Sequence, residues 1–178
     1  APQEPIAGAL EAARTGLADI ILVGDADVVQ RGLAPHSLGS LPVRVVPSHG
    51  TITERDHPVT ALRRNPKASV AVAAALVQTG EADALVSMGS TGAAMAASVL
   101  ALGLFGGLER PALGGPVIPL APYVSLIDLG SSVDCRPSQL ASFATIGATF
   151  ARLYLDIEHP RVALLSVGEE EGKGNRQV

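Results

Sequence analysis

The sequence has no tryptophan, and aromatic side chains make up only 3% of its 178 residues. Proteins that bind single-stranded nucleic acid stack bases on aromatic side chains, so this composition argues against that class. The net charge of −4 argues the same way, because a phosphate backbone is bound by a positive surface. We therefore expect no nucleic-acid partner.

The chain also lacks the residues of a metal cluster. Its single cysteine, Cys135, excludes an internal disulfide and a cysteine-based metal site, and fits a reducing cytoplasm. The four histidines show no metal-ligand spacing, and we expect them at the surface, with His49 and His57 kept as alternative site residues. Cys135 has no evident neighbouring base, so we do not expect a nucleophile. We expect no metal and no cofactor.

Charge is scarce: 17% of residues are charged, against about 25% in typical soluble domains. We infer that further chain, a second subunit or a membrane covers part of the surface. The chain begins without Met and ends in a loop rich in glycine and charge, so we expect a piece of a longer protein. Residues 84–108 carry no charge and are long enough to span a bilayer, but the polar residues within 87–92 favour a strand, a turn and a helix.

Apolar runs typical of buried strands alternate with helical patterns along the chain. Helices are predicted over 5–15, 69–79, 93–102 and 137–154, and strands over 19–24, 43–46, 84–86, 123–128 and 161–167. Residues 48–58 and 111–122 are expected to be irregular. Continuous apolar strands between helices predict an α/β domain over 1–178 with a mostly parallel sheet.

The most informative segment is a glycine turn, residues 87–93, between a predicted strand and a predicted helix. Free N–H groups and the helix dipole make such a turn an anion site, most often for phosphate. The hydroxyls of Ser87, Ser90 and Thr91 favour this role over a turn that serves packing alone. No lysine follows the last glycine and no dinucleotide fingerprint is present, so neither nucleotide motif applies.

Four predicted strands end in similar glycine turns, at 23–25, 88–90, 129–131 and 167–169. In an open parallel sheet such ends share one edge, so we expect a common crevice there.

Asp128 ends a strand and either binds substrate or braces the loop, whereas for Asp134 a helix cap is favoured. Lys173 lies between two glycines and suits a phosphate or an oxyanion, with a solvated loop as the alternative. The basic residues Arg63, Arg64 and Lys67 suggest a solvated helix face or contact with an acidic partner.

Several motifs together resemble the bacterial phosphate acyltransferases of the PlsX type. Residues 81–93 are similar to that family's Ala-Asp and Ser-Ala-Gly-Asn-Thr-Gly-Ala segment, and residues 108–113 resemble the segment after it. Residues 128–137 look like Asp-Val-Gly-Ala-Asn-Val-Asp-x-x-Pro, and residues 161–174 resemble a strand with a Gly-Glu-Glu and Lys-Gly loop. Asp56, Pro58 and the arginines at 63 and 64 fit the preceding segment, so the resemblance covers nearly the whole chain in order.

The resemblance implies a three-layer α/β/α sandwich like that of isocitrate and isopropylmalate dehydrogenases, acting as a homodimer. It implies transfer of a fatty acyl group from acyl carrier protein to inorganic phosphate, giving acyl phosphate for phosphatidic acid synthesis by a membrane acyltransferase. It also implies a cytoplasmic enzyme that associates peripherally with the membrane. The chain alone is expected to be inactive, since the family has further chain on both sides.

The resemblance also assigns roles to individual residues. Catalysis is expected of Lys173, Asp128 and Asn175, with the lysine supplying positive charge and the aspartate organising the crevice. Phosphate or thioester oxygen is expected to bind at Ser87, Gly89, Ser90, Thr91, Gly92, Gly130, Ser131, Ser132 and Gly168. The chain departs from the family at Ser90, where asparagine is usual, at the serines of 131 and 132, which replace Ala-Asn, and at Pro66.

Three alternatives stay open at this point. A phosphate acetyltransferase-like enzyme that uses an acyl-coenzyme A would share the fold and the phosphate chemistry. A ligand-binding relative without catalysis is suggested by serine in place of asparagine. A dinucleotide dehydrogenase of similar architecture lacks support, because the fingerprint glycines and an acidic ribose anchor are absent.

Overall fold

The structure, a computed structural model, describes residues 3–130 and 134–165. The chain divides into two units, residues 1–103 and residues 104–178. The first unit contains α1 (Gln3–Arg14), β1 (Ile20–Gly24), α2 (Ala26–Leu33), β2 (Val43–Pro47), α3 (Pro58–Arg64), α4 (Ser69–Gln78) and α5 (Thr91–Leu102). The second contains β3 (Gly114–Gly115), β4 (Leu126–Ile127) and α6 (Pro137–Tyr154).

The first unit starts with a βαβ arrangement. Strands β1 and β2 pair in parallel, with Ile20 opposite Val43 and Gly24 opposite Pro47, and α2 lies between them in sequence. Asp25 follows β1 directly and caps α2, because its carboxylate accepts a hydrogen bond of 3.0 Å from the Val28 N–H. The fold is therefore α/β with a parallel sheet, as the sequence predicts.

Two apolar clusters hold the first unit together. The first joins α1 to α2 and has Leu10, whose side chain is fully buried, at its centre. The second joins the three later helices and is dominated by alanines: Ile52, Leu62, Ala68, Ala74, Ala93 and Ala97. Small side chains let α4 and α5 pack closely, so the position of α5 is fixed by its contacts along the helix.

The second unit is a short antiparallel pair with a long helix. Strands β3 and β4 pair through Gly114 opposite Ile127, and a side chain at Gly114 would collide with the Leu126 carbonyl. Helix α6 begins at Pro137, where a missing N–H is harmless, and the Gln139 side chain accepts a 2.8 Å hydrogen bond from the Arg136 N–H. Gly147 allows α6 to approach β4, since a Cβ there would lie 3.1 Å from Ile127 Cγ1.

Most predicted elements are confirmed to within two residues, but the later strands are not. Residues 84–86 and 161–165 are irregular, and Val86 and Leu165 are 88% and 84% exposed, so the predicted buried strands there are wrong. The predicted strand over 123–128 shortens to β4, and its partner is antiparallel. The described residues supply no neighbouring strand to 84–86 or 161–165, and extended chain without a hydrogen-bonding neighbour is not a strand.

The sequence did not predict α2, and it predicted α3 only in part. Helix α2 follows the Asp25 cap, and α3 occupies residues that the sequence placed partly in a loop. In residues 3–130 and 134–165, no helix combines the length and the apolar character needed to cross a membrane.

Candidate functional site

The glycine turn leads into α5, as predicted, and Ser90 is the residue that caps this helix. Its hydroxyl oxygen accepts a 3.3 Å hydrogen bond from the Ala93 N–H, and the residue is only 7% exposed. A hydroxyl that accepts this bond keeps its own O–H free to donate. Ser90 therefore stabilises the start of α5 and still has one donor for a bound oxygen atom.

The first N–H groups of α5 are available to a ligand. Thr91 and Gly92 begin the helix, so neither has a carbonyl one turn earlier to accept its N–H. In the part of the chain that the structure describes, no other acceptor meets these two N–H groups, and both residues are exposed. With the positive end of the helix dipole, this is the arrangement that binds phosphate in many proteins.

The turn before α5 is braced locally. The Gly89 N–H donates a 3.2 Å hydrogen bond to the Ser87 hydroxyl, and both residues are exposed. The structure thus places five of the predicted binding residues in one continuous segment, in which all but Ser90 are exposed: Ser87, Gly89, Ser90, Thr91 and Gly92.

A second segment of the first unit meets this turn. A Cβ on Gly92 would lie 3.1 Å from Cγ of Pro58, so the start of α3 packs directly on the start of α5. This distance is tighter than an ordinary van der Waals contact, so a side chain at position 92 would require Pro58 to shift by a few tenths of an ångström. The start of α3 is therefore a neighbour of the glycine turn.

Residues of α3 and the segments flanking it line a surface cleft of about 310 Å³, which we call the α3 cleft. It is lined by Thr51, Ile52, Asp56, His57, Thr60, Ala61, Arg64 and Asn65. Six of these eight side chains carry a polar or charged group. From the sequence, His57 was an alternative site residue, and Arg64 was expected on a solvated helix face or in contact with an acidic partner. That the two line one cleft was not predicted.

Asp56 is held on one wall of the α3 cleft by Thr53. Its carboxylate accepts hydrogen bonds of 2.8 Å from the Thr53 N–H and 2.7 Å from the Thr53 hydroxyl. These two bonds, the backbone one first, hold the pKa of Asp56 below its usual value, because both favour the charged carboxylate. Asp56 is thus ionised at neutral pH and closes a four-residue turn.

A second lining residue, Asn65, is also held by hydrogen bonds. Its side-chain amide donates a 2.8 Å hydrogen bond to the His49 carbonyl, and its Oδ1 accepts one of 3.2 Å from the Lys67 N–H. The His49 N–H donates in turn to the Lys67 carbonyl at 2.8 Å. Gly50 lies between these contacts with φ +81°, a conformation that glycine adopts readily.

Two predicted residues of the second unit, Asp128 and Gly130, are described and follow β4. Asp128 has φ +69°, and its N–H and that of Leu129 both donate to the Leu113 carbonyl, at 2.8 and 3.0 Å. The thiol of Cys135 lies 3.5 Å from Asp128 Oδ2 and donates to it. The Gly130 N–H donates to the Asp128 carbonyl at 2.8 Å. These contacts hold the chain around Asp128 in place, and whether this residue also binds substrate stays a prediction.

Five predicted site residues lie outside the described residues: Ser131, Ser132, Gly168, Lys173 and Asn175. The shared crevice that they were expected to complete stays a prediction. Within residues 3–130 and 134–165, no group of three or more His, Cys, Asp or Glu side chains is placed to hold a metal ion.

One polar side chain of the first unit is buried although it forms no hydrogen bond with the described residues. Ser48 follows β2 and is 2% exposed, and its hydroxyl has no hydrogen-bond partner among the described residues. Sequence reasoning could not find it, because a serine at a strand end is ordinary until its burial is known. The α3 segment did carry a signal, since His57-Pro58 is a typical helix start with proline at its first position.

The described residues define an α/β protein in which a glycine turn opens a helix whose first N–H groups are free. A family model described as "Fatty acid synthesis protein" matches residues 1–178. The chain belongs to this family, the phosphate acyltransferases of the PlsX type, as the sequence motifs indicated.

Individual relatives agree with the family. The chain is 48% identical to a phosphate acyltransferase of Acaryochloris marina over 98% of its own length and 51% of the relative's. It is 45% identical to one of Thermosynechococcus vestitus, with 98% and 51% covered, and 41% identical to one of Dehalococcoides mccartyi, with 99% and 51% covered. The chain thus spans about half the length of the curated relatives it matches.

Proposed function

We propose that the protein carrying this chain transfers a fatty acyl group from acyl carrier protein to inorganic phosphate. The observation that supports this most directly is the pair of free N–H groups at Thr91 and Gly92, in a chain whose relatives are named phosphate acyltransferase. The product is an acyl phosphate, which a membrane acyltransferase then uses for phosphatidic acid synthesis. The enzyme acts as a cytoplasmic homodimer at the membrane surface, with a dehydrogenase-like three-layer sandwich completed by chain beyond these residues.

The proposed reaction is a single acyl transfer. A phosphate oxygen attacks the thioester carbonyl carbon, a tetrahedral oxyanion forms, and the C–S bond breaks. The phosphate proton goes to the departing thiolate, so hydrogen phosphate and thioester become acyl phosphate and free thiol. Phosphate is already largely ionised at pH 7 and a thioester is already activated, so positioning and oxyanion stabilisation carry the catalysis.

The predicted residues divide the work in this scheme. The N–H groups of Thr91 and Gly92, together with the hydroxyls of Ser87, Ser90 and Thr91, hold phosphate or the developing oxyanion. Lys173 and Asn175 bring charge and a hydrogen-bond donor from the later loop. Asp128 keeps the loop around Gly130 in place.

The test uses the complete protein with acyl-[acyl carrier protein] and phosphate, and follows thiol release. We expect release to require phosphate, and Thr91→Val to lower its rate more than Thr145→Val. Thr145 is the matched control, because it is exposed on α6 and its hydroxyl donates only to the Ala141 carbonyl. Thiol release that does not depend on phosphate would refute the proposal.

A second candidate is an enzyme that takes its acyl group from coenzyme A. The same free N–H groups at the start of α5 would serve it, since the acceptor phosphate is unchanged. Supplying acetyl-coenzyme A and acyl-[acyl carrier protein] side by side separates the two. No reaction with either donor would favour a ligand-binding relative without catalysis.

A further inference from the structure

We infer that the α3 cleft is a second phosphoryl-binding site next to the glycine turn, with Arg64 as its charge. The inference rests on the proposed function for the source of the phosphoryl group, which is either inorganic phosphate or the phosphate of the carrier protein's phosphopantetheine arm. The family name does not assign this cleft, and of its lining residues the sequence offered only His57 as an alternative site residue.

The positive charge of Arg64 favours an anionic ligand in the α3 cleft. Arg64 lines the α3 cleft and has no carboxylate partner among residues 3–130 and 134–165, although Asp56 lines the same cleft. The carboxylate of Asp56 is instead engaged by Thr53. An arginine fork without a partner suits a phosphoryl group, which it can bind through two parallel N–H bonds.

The α3 cleft is also lined by uncharged hydrogen-bond donors. His57 Nδ1 and Thr60 Oγ1 lie 3.2 Å apart and share one hydrogen bond. If the hydroxyl donates, the other ring nitrogen carries a proton; if the ring donates, the hydroxyl proton is free. Either arrangement leaves one donor of the pair for a ligand, and Thr51 adds a hydroxyl. A tetrahedral phosphoryl group can take donors from several directions, whereas a planar carboxylate is satisfied by the arginine fork.

Two of the lining residues are held in place by hydrogen bonds within the protein. Asp56 is bonded to Thr53, and the Asn65 side chain is bonded to the His49 carbonyl. A ligand therefore does not have to order these loops, which reduces the entropic cost of binding.

The α3 cleft lies on a helix that packs against the glycine turn. Pro58 begins α3 and contacts Gly92, and His57, which lines the cleft, directly precedes Pro58 in the sequence. A phosphoryl group in the cleft therefore binds along the helix whose first residue meets the start of α5. It is either the attacking phosphate before reaction or the anchor of the arm that presents the thioester.

The experiment compares Arg64→Gln with Arg63→Gln in the complete protein. Arg63 is the matched control, because it neighbours Arg64 on α3 and is also exposed but does not line the cleft. Binding of inorganic phosphate, and separately of phosphopantetheine, is measured by ³¹P line broadening, and KM is measured for phosphate and for the acyl donor. Circular dichroism checks that each variant is folded, and Arg64→Lys serves as a second variant that keeps charge without the fork.

We expect Arg64→Gln to lower the binding affinity for one of the two phosphoryl ligands by about tenfold or more, which is the usual effect of losing a charge-assisted hydrogen bond. The ligand that weakens identifies the source, and Arg63→Gln should stay within about twofold of the unmodified protein because its charge is exposed and outside the cleft. Unchanged binding of both ligands in Arg64→Gln would overturn the inference. If the unmodified protein makes acyl phosphate while Arg64→Gln binds both ligands normally, the inference fails and the proposed function stands. If Arg64→Gln loses phosphoryl binding but the unmodified protein makes no acyl phosphate, the inference stands and the proposed function fails.

Discussion

Replacing Ser90 with alanine tests whether the start of α5 is built as described. The substitution removes the oxygen atom that accepts the Ala93 N–H at 3.3 Å and leaves that buried N–H without a partner. Loss of a helix N-cap costs about 1 kcal/mol, within a range of roughly 0.5–2 kcal/mol. In a chain of this size, 1 kcal/mol corresponds to a fall of about 2–4 °C in Tm.

Ser98→Ala is the matched control for this measurement. Ser98 lies in the same helix, and its hydroxyl donates a 2.9 Å hydrogen bond to the Ala94 carbonyl, which is already bonded within the helix. Alanine favours the helix interior by a few tenths of a kcal/mol, so we expect a change of less than about 0.5 kcal/mol. Because the chain has no tryptophan, unfolding is followed by far-ultraviolet circular dichroism in urea.

Ser90→Asp separates stability from ligand binding. Aspartate caps a helix as well as serine does, so the free energy of unfolding should be kept. Its negative charge beside the N–H groups of Thr91 and Gly92 should weaken phosphate binding by about fivefold or more, the effect of one unit charge at about 4 Å in water. The reasoning is refuted if Ser90→Ala costs no more than Ser98→Ala, or if Ser90→Asp binds phosphate as tightly as the unmodified protein.

Three further predictions concern the first unit. Leu10→Ala removes the fully buried centre of the α1–α2 cluster and should lower the free energy of unfolding by about 2–5 kcal/mol in urea titration, whereas a cost below 1 kcal/mol would mean that the cluster is loose. Ser48→Ala removes a buried hydroxyl without a partner among the described residues, so urea titration should show equal or greater stability, and a clear loss would reveal a hidden partner. Because the pKa of Asp56 is lowered in the folded state, its contribution to stability is present above the ordinary pKa of about 4 and is lost as the pH falls through the lowered value. Asp56→Asn should therefore be less stable than the unmodified protein by a constant amount from about pH 5 to 8, and the difference should shrink below about pH 4; thermal melts that show an unchanged difference in acid would contradict this.

The helices were predictable because their signals are local. Helix α6 has proline at its first position, α4 ends near Gly80, and α5 follows a glycine turn, so each boundary depends on a few neighbouring residues. Strands β1 and β2 were predictable for a related reason, since each is a short apolar run and the chain between them is long enough for a crossover helix.

The later strands were not predictable from the same pattern. Residues 84–86 are as apolar as β1, but a strand is defined by its neighbour, and the run of apolar residues does not say where that neighbour lies. The α3 cleft was missed for a similar reason. The contact of Pro58 with Gly92 joins residues far apart in sequence, and it is this contact that sets the start of α3, next to His57, against the glycine turn.

The most direct test of the proposed function is the chemical identity of the product. The complete protein is incubated with acyl-[acyl carrier protein] and inorganic phosphate, and ³¹P nuclear magnetic resonance is recorded while free thiol is counted. We predict a new acyl phosphate resonance that grows in equal amount to the released thiol and is absent without protein. Thiol release with no acyl phosphate, or no release at all, would contradict the assignment of this chain to a phosphate-dependent acyl transfer.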